Sequence, residues 1–188
     1  MNYFNYIGKS NLSLKKLEVT GYNKKRMEIN TGFGTLLFRT LRLKKDNGQI
    51  FFIGNGASAS MSSHTALDMW KNANIRAQSF NDMVSITAIS NDIAYKEVFS
   101  KPLDFFVNKS DMLVCISSSG NSENIVNAVK LAKKKDLFIV TFSAMNKNNK
   151  LRYLGDINFY IPAQTYGFAE SGHQLLLHYW IDNLVNLL

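Results

Sequence analysis

The sequence contains little cysteine and little proline. Cys115 is the single cysteine among 188 residues, and proline occurs only twice. One cysteine cannot form a disulfide within the chain, so the sequence favours a reducing compartment, and we expect a cytoplasmic protein. Two prolines and eleven glycines exclude a collagen-like chain and a proline-rich disordered chain.

Long hydrophobic segments are also missing. No uncharged apolar run of about 18 residues occurs, so the sequence predicts no membrane span. Residues 1–14 lack the charged start, apolar run and small-residue cleavage site of a secretory signal, so we expect none. The length, with 46% hydrophobic residues, is sufficient for one α/β domain with a substantial core.

Acidic residues are scarce in the first quarter of the chain. Residues 1–50 carry ten Lys or Arg and three Asp or Glu, whereas residues 51–188 carry twelve and eleven. Most of the net charge of +8 therefore lies before residue 51. A basic segment suits a nucleic-acid partner, but aromatic residues are sparse there and no nucleic-acid motif occurs. We favour a solvated helix face over nucleic-acid binding for these side chains. They are Lys15, Lys16, Lys24, Lys25, Arg26, Arg39, Arg42, Lys44 and Lys45.

From residue 50 onward, apolar strands alternate with helical stretches. The strands are apolar throughout rather than at every second residue, which is typical of a parallel sheet covered on both faces. Right-handed crossovers then give a doubly wound, three-layer α/β/α fold with a five-stranded parallel sheet. The predicted strands are 49–53, 75–80, 112–116, 137–142 and 156–161, and the predicted helices are 60–73, 83–89, 95–107, 122–135 and 168–188.

Residues 22–45 have the pattern of an amphipathic helix. Ile29, Phe33, Leu36 and Leu41 recur at helical spacing, and the opposite face is basic. We therefore divide the chain into an N-terminal helical segment, residues 1–47, and an α/β domain, residues 48–188. We expect the apolar stripe to pack on that domain or on a neighbouring subunit.

Two loops rich in serine and glycine follow predicted strands. One is Gly-Asn-Gly-Ala-Ser-Ala-Ser at residues 54–60, and the other is Ser-Ser-Ser-Gly-Asn-Ser at residues 117–122. Both lead into helices, whose N-termini offer N–H groups and partial positive charge that suit a phosphate. Neither contains a G-x-G-x-x-G motif or a P-loop lysine, so nucleotide binding is poorly supported. Serines at helix starts also act simply as N-caps, and that alternative stays open.

Two helices carry histidine and carboxylate side chains together. His64 and Asp68 lie four residues apart and face the same way. Glu170 and His178 are eight residues apart, about 80° around their helix, so one ligand can reach both. Such a group could bind a divalent metal or move protons, and ordinary surface or core histidines are the alternative.

These pieces resemble, in order and spacing, the SIS (sugar isomerase) domain family, and residues 48–188 are most similar to its phosphoheptose isomerases. The resemblance implies the flavodoxin-like SIS fold and an aldose–ketose isomerase. It implies conversion of sedoheptulose 7-phosphate to a heptose 7-phosphate for lipopolysaccharide or capsule synthesis. It further implies a cytoplasmic homo-oligomer, a tetramer, with active sites between subunits. The matching pieces are residues 54–58, His64 with Asp68, Asn91-Asp92, residues 98–100, residues 116–122, and the last helix with Glu170, His173 and His178.

The same resemblance implies roles for individual residues. Asp68 and His178 occupy the positions of the catalytic carboxylate and histidine. Some members bind zinc at positions that correspond to His64, Asp68, Glu170 and His178, so zinc is a candidate cofactor, whereas no nucleotide or redox cofactor is expected. The implied substrate-binding residues are Asn55, Gly56, Ser58, Asp92, Ser117, Ser118, Ser119, Ser122 and Glu170.

The chain departs from the family pattern at two of these positions. Asp68 stands where the family usually has glutamate, and Glu170 stands where glutamine is expected. The loop at residues 163–169 is also shorter than in heptose isomerases. The alternative function is a non-catalytic SIS-domain protein that binds a phosphosugar or a partner protein as a regulator. The presence of Asp68 and His178 favours catalysis.

Overall fold

Five parallel strands form the centre of the molecule, as the apolar runs predict. The computed structural model describes residues 2–188, so Met1, the first residue of the predicted N-terminal segment, lies outside the described residues. The strands are β1 (Glu18–Gly21), β2 (Arg26–Met27), β3 (Ile50–Gly54), β4 (Ala77–Ser79), β5 (Met112–Ser117), β6 (Phe138–Ala144) and β7 (Ile157–Ile161). The helices are α1 (Tyr3–Lys15), α2 (Ile29–Lys45), α3 (Ala57–Asn72), α4 (Met83–Asp92), α5 (Ser100–Phe106), α6 (Glu123–Lys134) and α7 (Tyr166–Leu187).

The parallel strands have the order β4-β3-β5-β6-β7, which is the flavodoxin-like arrangement. The chain leaves β3 toward β4 on one side and returns to β5 on the other. Strand order therefore reverses between β3 and β5. At such a reversal the loops beyond the carboxyl ends of the strands diverge and leave a crevice for a ligand. The doubly wound fold class is confirmed.

The sheet has seven strands rather than the predicted five. β1 pairs antiparallel with β7, and β2 pairs antiparallel with β1. The segment before Gly48 is thus not entirely helical, and the helix predicted from residue 22 begins at Ile29. Four-residue and two-residue strands carry too few apolar positions to show a pattern, and here pairing with the edge of β7 stabilises them.

Each face of the sheet has its own hydrophobic core. Alternate residues of one strand point to opposite faces, so Phe52 joins one core and Phe51 the other. The first core is closed by side chains of α2, α3 and α7, and the second by side chains of α5 and α6. This covering on both sides explains why the central strands are buried along their length and apolar at most positions.

The N-terminal segment packs on the rest of the same chain. Phe33 of α2 is buried, and its ring lies 4.5 Å from that of Phe159 in β7 and 4.7 Å from that of Tyr179 in α7. The boundary between this segment and residues 48–188 stays a proposal. Within residues 2–188, the helices are too short or too polar to cross a membrane.

Candidate active site

The two serine-containing loops meet at the carboxyl edge of the sheet. β3 and β5 are neighbours in register, with Gly54 opposite Ile116, so the loops that follow these strands lie side by side. Each loop runs directly into a helix, α3 or α6. The loops therefore flank the point at which the strand order reverses.

A cavity of about 170 Å³ lies between these loops and the start of α7. A water molecule takes about 30 Å³ in the liquid, so the cavity has room for a phosphate group and part of a sugar. Seven of the predicted site residues line it together, and Ile116 and Tyr166 line it without having been predicted. The lining residues are Asn55, Ser58, Ile116, Ser117, Ser118, Ser119, Ser122, Tyr166 and Glu170.

The serines of these loops do not cap the helices with their side chains. Ser122 is the N-cap of α6 and makes no side-chain capping bond, and the N-cap of α3 is Gly56. Elsewhere in the chain, Asp82 and Thr165 cap α4 and α7 in the usual way. Simple helix capping therefore does not explain the serines. Within the first turn of α6 the N–H of Ile125 donates to Oδ1 of Asn124, so the hydroxyl of Ser122 and the N–H groups of Glu123 and Asn124 are left for a ligand.

Ser118 has a polar atom that the protein itself does not use. Its Oγ is buried, lines the cavity, and has no hydrogen-bond partner within the described part of the chain. A buried hydroxyl without a partner costs about 1–3 kcal/mol, a penalty that a bound oxyanion removes by accepting its hydrogen. Ser118 thus points to an oxygen-rich ligand in the cavity.

The loop at residues 117–122 packs against the connection between β6 and β7. Gly120 has a φ of +62°, and a Cβ added there would clash with the side chain of the buried Asn149. The backbone N–H of Leu151 donates to the carbonyl of Gly120 at 2.9 Å. Only glycine fits this position, because both the backbone angle and the close approach exclude a side chain.

Two predicted substrate residues are not among those that line the cavity. Asp92 is the last residue of α4, is exposed, and accepts a hydrogen bond from its neighbour Asn91 at 2.9 Å. Gly56 is the N-cap of α3 with a φ of +56°, and a Cβ added there would meet nothing within 4 Å. Within one chain, neither contributes to the wall of the cavity.

A second cluster of chemically active side chains joins α3 to α7. One ligand atom each from His64, Asp68 and His178 lies within 4.8 Å of the others. Nε2 of His64 is 3.3 Å from Oδ2 of Asp68, and the rings of His64 and His178 are 5.5 Å apart. Glu170 lines the cavity and is not part of this cluster.

The members of the cluster are held by neighbours on their own helices. Asn72 donates to Oδ1 of Asp68 at 3.2 Å, and the side-chain amide of Gln174 lies 2.7 Å from Nε2 of His178. Gln174 was not predicted, although its position four residues before His178 places it on the same helix face. These contacts orient a carboxylate and an imidazole toward each other across the two helices.

The third histidine has a structural environment. His173 is fully buried, and its Nε2 lies 3.1 Å from the carbonyl oxygen of Ser143. Burial lowers the pKa of His173 to about 4, so this imidazole is neutral and donates to the carbonyl. Cys115 is likewise buried in β5, and burial raises the pKa of its thiol well above the usual value, which makes it inert.

A doubly wound sheet, an oxyanion-suited cavity at its reversal point and an adjacent carboxylate–imidazole pair indicate a domain that binds a small phosphorylated ligand. Comparison with known proteins gives the family. The SIS domain model matches residues 19–144, and the chain belongs to the SIS domain family.

Within that family the chain is similar to phosphoheptose isomerases. It is 37% identical to the enzyme of Cytophaga hutchinsonii, over 71% of this chain and 73% of that protein. It is 32% identical to the enzyme of Helicobacter pylori strain P12, over 78% of each. The solved phosphoheptose isomerase of Neisseria gonorrhoeae superposes with a TM-score of 0.84 at 25% identity, over 96% of each chain.

Proposed function

We propose that this chain is a phosphosugar isomerase that converts sedoheptulose 7-phosphate to a heptose 7-phosphate. The proposal rests on one observation, namely that a cavity suited to phosphate and a carboxylate–imidazole pair lie along the same two helices. A hydroxyl-lined cavity lies at the starts of α3 and α7, and Asp68 and His178 meet further along the same two helices. The names of the similar proteins support the choice of substrate.

The cavity would bind the phosphate. Its lining contains serine hydroxyls, the N-cap of α6 and one carboxylate, Glu170, and it contains no lysine or arginine. Ser118 offers a buried hydroxyl without a partner, and Ser117, Ser119 and Ser122 line the same cavity. Neutral hydroxyl and N–H donors, together with the partial positive charge of a helix N-terminus, can bind a phosphate dianion without a salt bridge.

The distance between the cavity and the carboxylate–imidazole pair suits a long open-chain sugar. Glu170 lines the cavity and His178 lies eight residues later on α7, about 12 Å along the helix axis. In a heptulose 7-phosphate the phosphate and the reacting carbons C1 and C2 are at opposite ends of the molecule. The phosphate would occupy the cavity while C1 and C2 reach toward Asp68 and His178.

Isomerisation moves one proton between C1 and C2 and another between the two oxygens. Asp68 would take the carbon-bound proton, because its carboxylate is aligned by His64 and Asn72. The electron pair left behind forms an enediolate. His178 would move the proton between the oxygens. His64, whose Nε2 faces Asp68, would polarise the oxygen that gains charge only as the doubly protonated imidazolium, through Nδ1–H.

The cluster also fits a zinc ion. Two imidazoles and one carboxylate are a donor set that zinc accepts, and three protein ligands leave a position open for a substrate oxygen. His64, Asp68 and His178 would hold the ion, with Glu170 outside this set. A bound zinc would act as a Lewis acid that polarises the carbonyl group.

We further propose that the protein works in the cytoplasm as a homotetramer and supplies heptose for lipopolysaccharide or capsule. Support for assembly comes from α4, in which half of the residues are apolar although none is buried in the single chain. Met83 and Val84 are about three-quarters exposed, at 76% and 74%. Apolar side chains that remain this exposed mark a surface that another chain covers.

The test is turnover of sedoheptulose 7-phosphate by the purified chain and its variants. Asp68→Asn and His178→Ala should each lower kcat by about 10²-fold or more, because each removes a proton-transfer group. Asp182→Asn, an exposed residue on α7, is the matched control and should keep full activity. Near-normal turnover in both Asp68→Asn and His178→Ala would refute the assignment.

A further inference from the structure

Three side chains from separate elements meet where the two loops approach each other. Asn55 belongs to the loop after β3, Asn124 to the first turn of α6, and Tyr95 to a short 3-10 turn after α4. Nδ2 of Asn55 donates to Oδ1 of Asn124 at 3.0 Å, and Nδ2 of Asn124 donates to Oδ1 of Asn55 at 2.9 Å. Oη of Tyr95 donates to Oδ1 of Asn55 at 3.0 Å.

One backbone group sets the direction of all these hydrogen bonds. The N–H of Ile125 donates to Oδ1 of Asn124 at 2.9 Å, and a backbone N–H can only donate. The oxygen of Asn124 therefore faces Ile125, and its amide nitrogen must donate to the oxygen of Asn55. That orientation in turn makes the Tyr95 hydroxyl a donor. The orientation of each amide thus follows from the hydrogen-bond network.

The network uses almost all the hydrogen-bonding capacity of Asn55. Its carbonyl oxygen has two lone pairs, which accept from Asn124 and from Tyr95. Its amide group has two hydrogens, and one of them goes to Asn124. One N–H is left, and Asn55 lines the cavity. Asn55 can therefore give one hydrogen bond to a ligand and can accept none.

We infer that Asn124 is a positioning residue that acts through Asn55. By occupying the acceptor sites of Asn55 together with Tyr95, it makes Asn55 a pure donor aimed at an oxygen of the bound sugar phosphate. Phosphate oxygens at neutral pH only accept, so a pure donor matches them and excludes an alternative orientation of the amide. Asn124 itself is 2% exposed and does not line the cavity. The identity of the ligand rests on the proposed function.

The first experiment compares Asn124→Ala with Asn127→Ala. Asn127 lies one turn further along α6, is partly exposed, and does not contact Asn55. Asn124→Ala should raise KM for sedoheptulose 7-phosphate about tenfold with kcat within about threefold, because a well-aligned hydrogen bond to a charged group is lost. Asn127→Ala should keep the wild-type KM.

The second experiment separates positioning from a general structural role. In an Asn55→Ala background, Asn124→Ala should raise KM by less than about twofold, because its target is already gone. If the two losses multiply instead, Asn124 does not act through Asn55 and the inference is overturned. Thermal unfolding of each variant reports whether it is folded.

If Asn124→Ala does not fold, Tyr95→Phe provides a second test of the same hydrogen-bond network. Tyr95 is 55% exposed, so loss of its hydroxyl frees one acceptor site of Asn55 without opening the core. KM should rise about threefold, since only one of the two bonds to the oxygen is lost. A wild-type KM in this variant overturns the inference.

Failure of the proposed function looks different from failure of this inference. A wild-type chain that does not turn over sedoheptulose 7-phosphate refutes the function, and calorimetric Kd values for the same compound then replace KM in every comparison. A wild-type chain that binds the compound, with no weakening in Asn124→Ala, refutes the inference alone. A wild-type chain that does not bind it refutes both.

Discussion

At the scale of single residues, the site depends on polar atoms whose partners are far apart in the sequence. The serine loop is recognisable from composition, because glycine and serine after an apolar strand indicate a turn into a helix. Asn124 is different, since its partner Asn55 is 69 residues away. Tyr95 and Asn149 escape prediction for the same reason. Sequence spacing therefore finds groups that share a loop or a helix and misses those that support them from elsewhere.

His173 gives a prediction about stability and pH. Its pKa falls to about 4 in the folded chain because of burial, against about 6.5 in the unfolded chain. Between these values the unfolded state binds more protons, so the free energy of unfolding falls as the pH falls from 6.5 to 4. Relative to His173→Gln, which cannot titrate, the wild type should lose about 2 kcal/mol between pH 7 and pH 5.

Urea unfolding of both proteins at the two pH values measures this difference. The comparison with His173→Gln removes the contribution of carboxylates, which titrate in both proteins. A difference in free energy that stays constant from pH 7 to pH 5 would show that His173 has an ordinary pKa in the folded state.

At the scale of elements, the sequence predicts what is buried and apolar. Four of the five parallel strands, β3, β5, β6 and β7, and also α6 were found because their apolar residues follow a strand or helix pattern. The pattern of β4 is weak, because its three residues include Gln78 and Ser79. β1 and β2 were missed because pairing with the edge of β7, not their own composition, holds them in place. The helix predicted over residues 95–107 is instead a short 3-10 turn at Tyr95–Glu97 followed by α5.

Two glycines in α2 test how closely this helix packs on β1. A Cβ added at Gly32 would lie 2.6 Å from Cγ1 of Val19, whereas a Cβ at Gly34 would meet nothing within 4 Å. Gly32→Ala should destabilise the chain by about 1–3 kcal/mol through overpacking. Gly34→Ala, its matched control in the same helix, should stabilise by about 0.5–1 kcal/mol because alanine favours helix.

Chemical denaturation of Gly32→Ala, Gly34→Ala and the wild type measures the change in the free energy of unfolding that each substitution causes. Equal effects of the two substitutions would mean that α2 does not lie against β1 as closely as the structure places it. The pair also separates packing from helix propensity, since both variants change propensity in the same direction.

At the scale of the whole molecule, the basic N-terminal segment is part of the sheet. Nη2 of Arg152 lies 2.6 Å from Oε2 of Glu18 in β1, and the guanidinium group packs over the ring of Tyr160. The pair joins the first strand to the connection between β6 and β7. Arg26 lies in β2, and several of the other basic residues of this segment lie on α2. The cavity that would bind phosphate contains none of them.

The exposed apolar face of α4 predicts an effect on assembly. The wild-type chain should have the mass of four chains in light scattering, and Val84→Glu should shift it to smaller species because a charge cannot be buried unpaired in an interface. Lys130→Glu, at an exposed position of α6, is the control and should leave the mass unchanged. A wild-type protein with the mass of one chain would contradict the proposed tetramer.

The proposed activity is proton transfer on a bound sugar phosphate. The most direct test incubates the wild-type protein with sedoheptulose 7-phosphate in D₂O and follows both compounds by proton NMR. We predict conversion to an aldoheptose 7-phosphate with deuterium entering at C2 of the aldose, because in the proposed mechanism the proton held by Asp68 would exchange with solvent at the enediolate stage. A chain that binds the sugar phosphate, yet yields neither product nor deuterated substrate, would be a non-catalytic member of the family and would contradict the proposed activity.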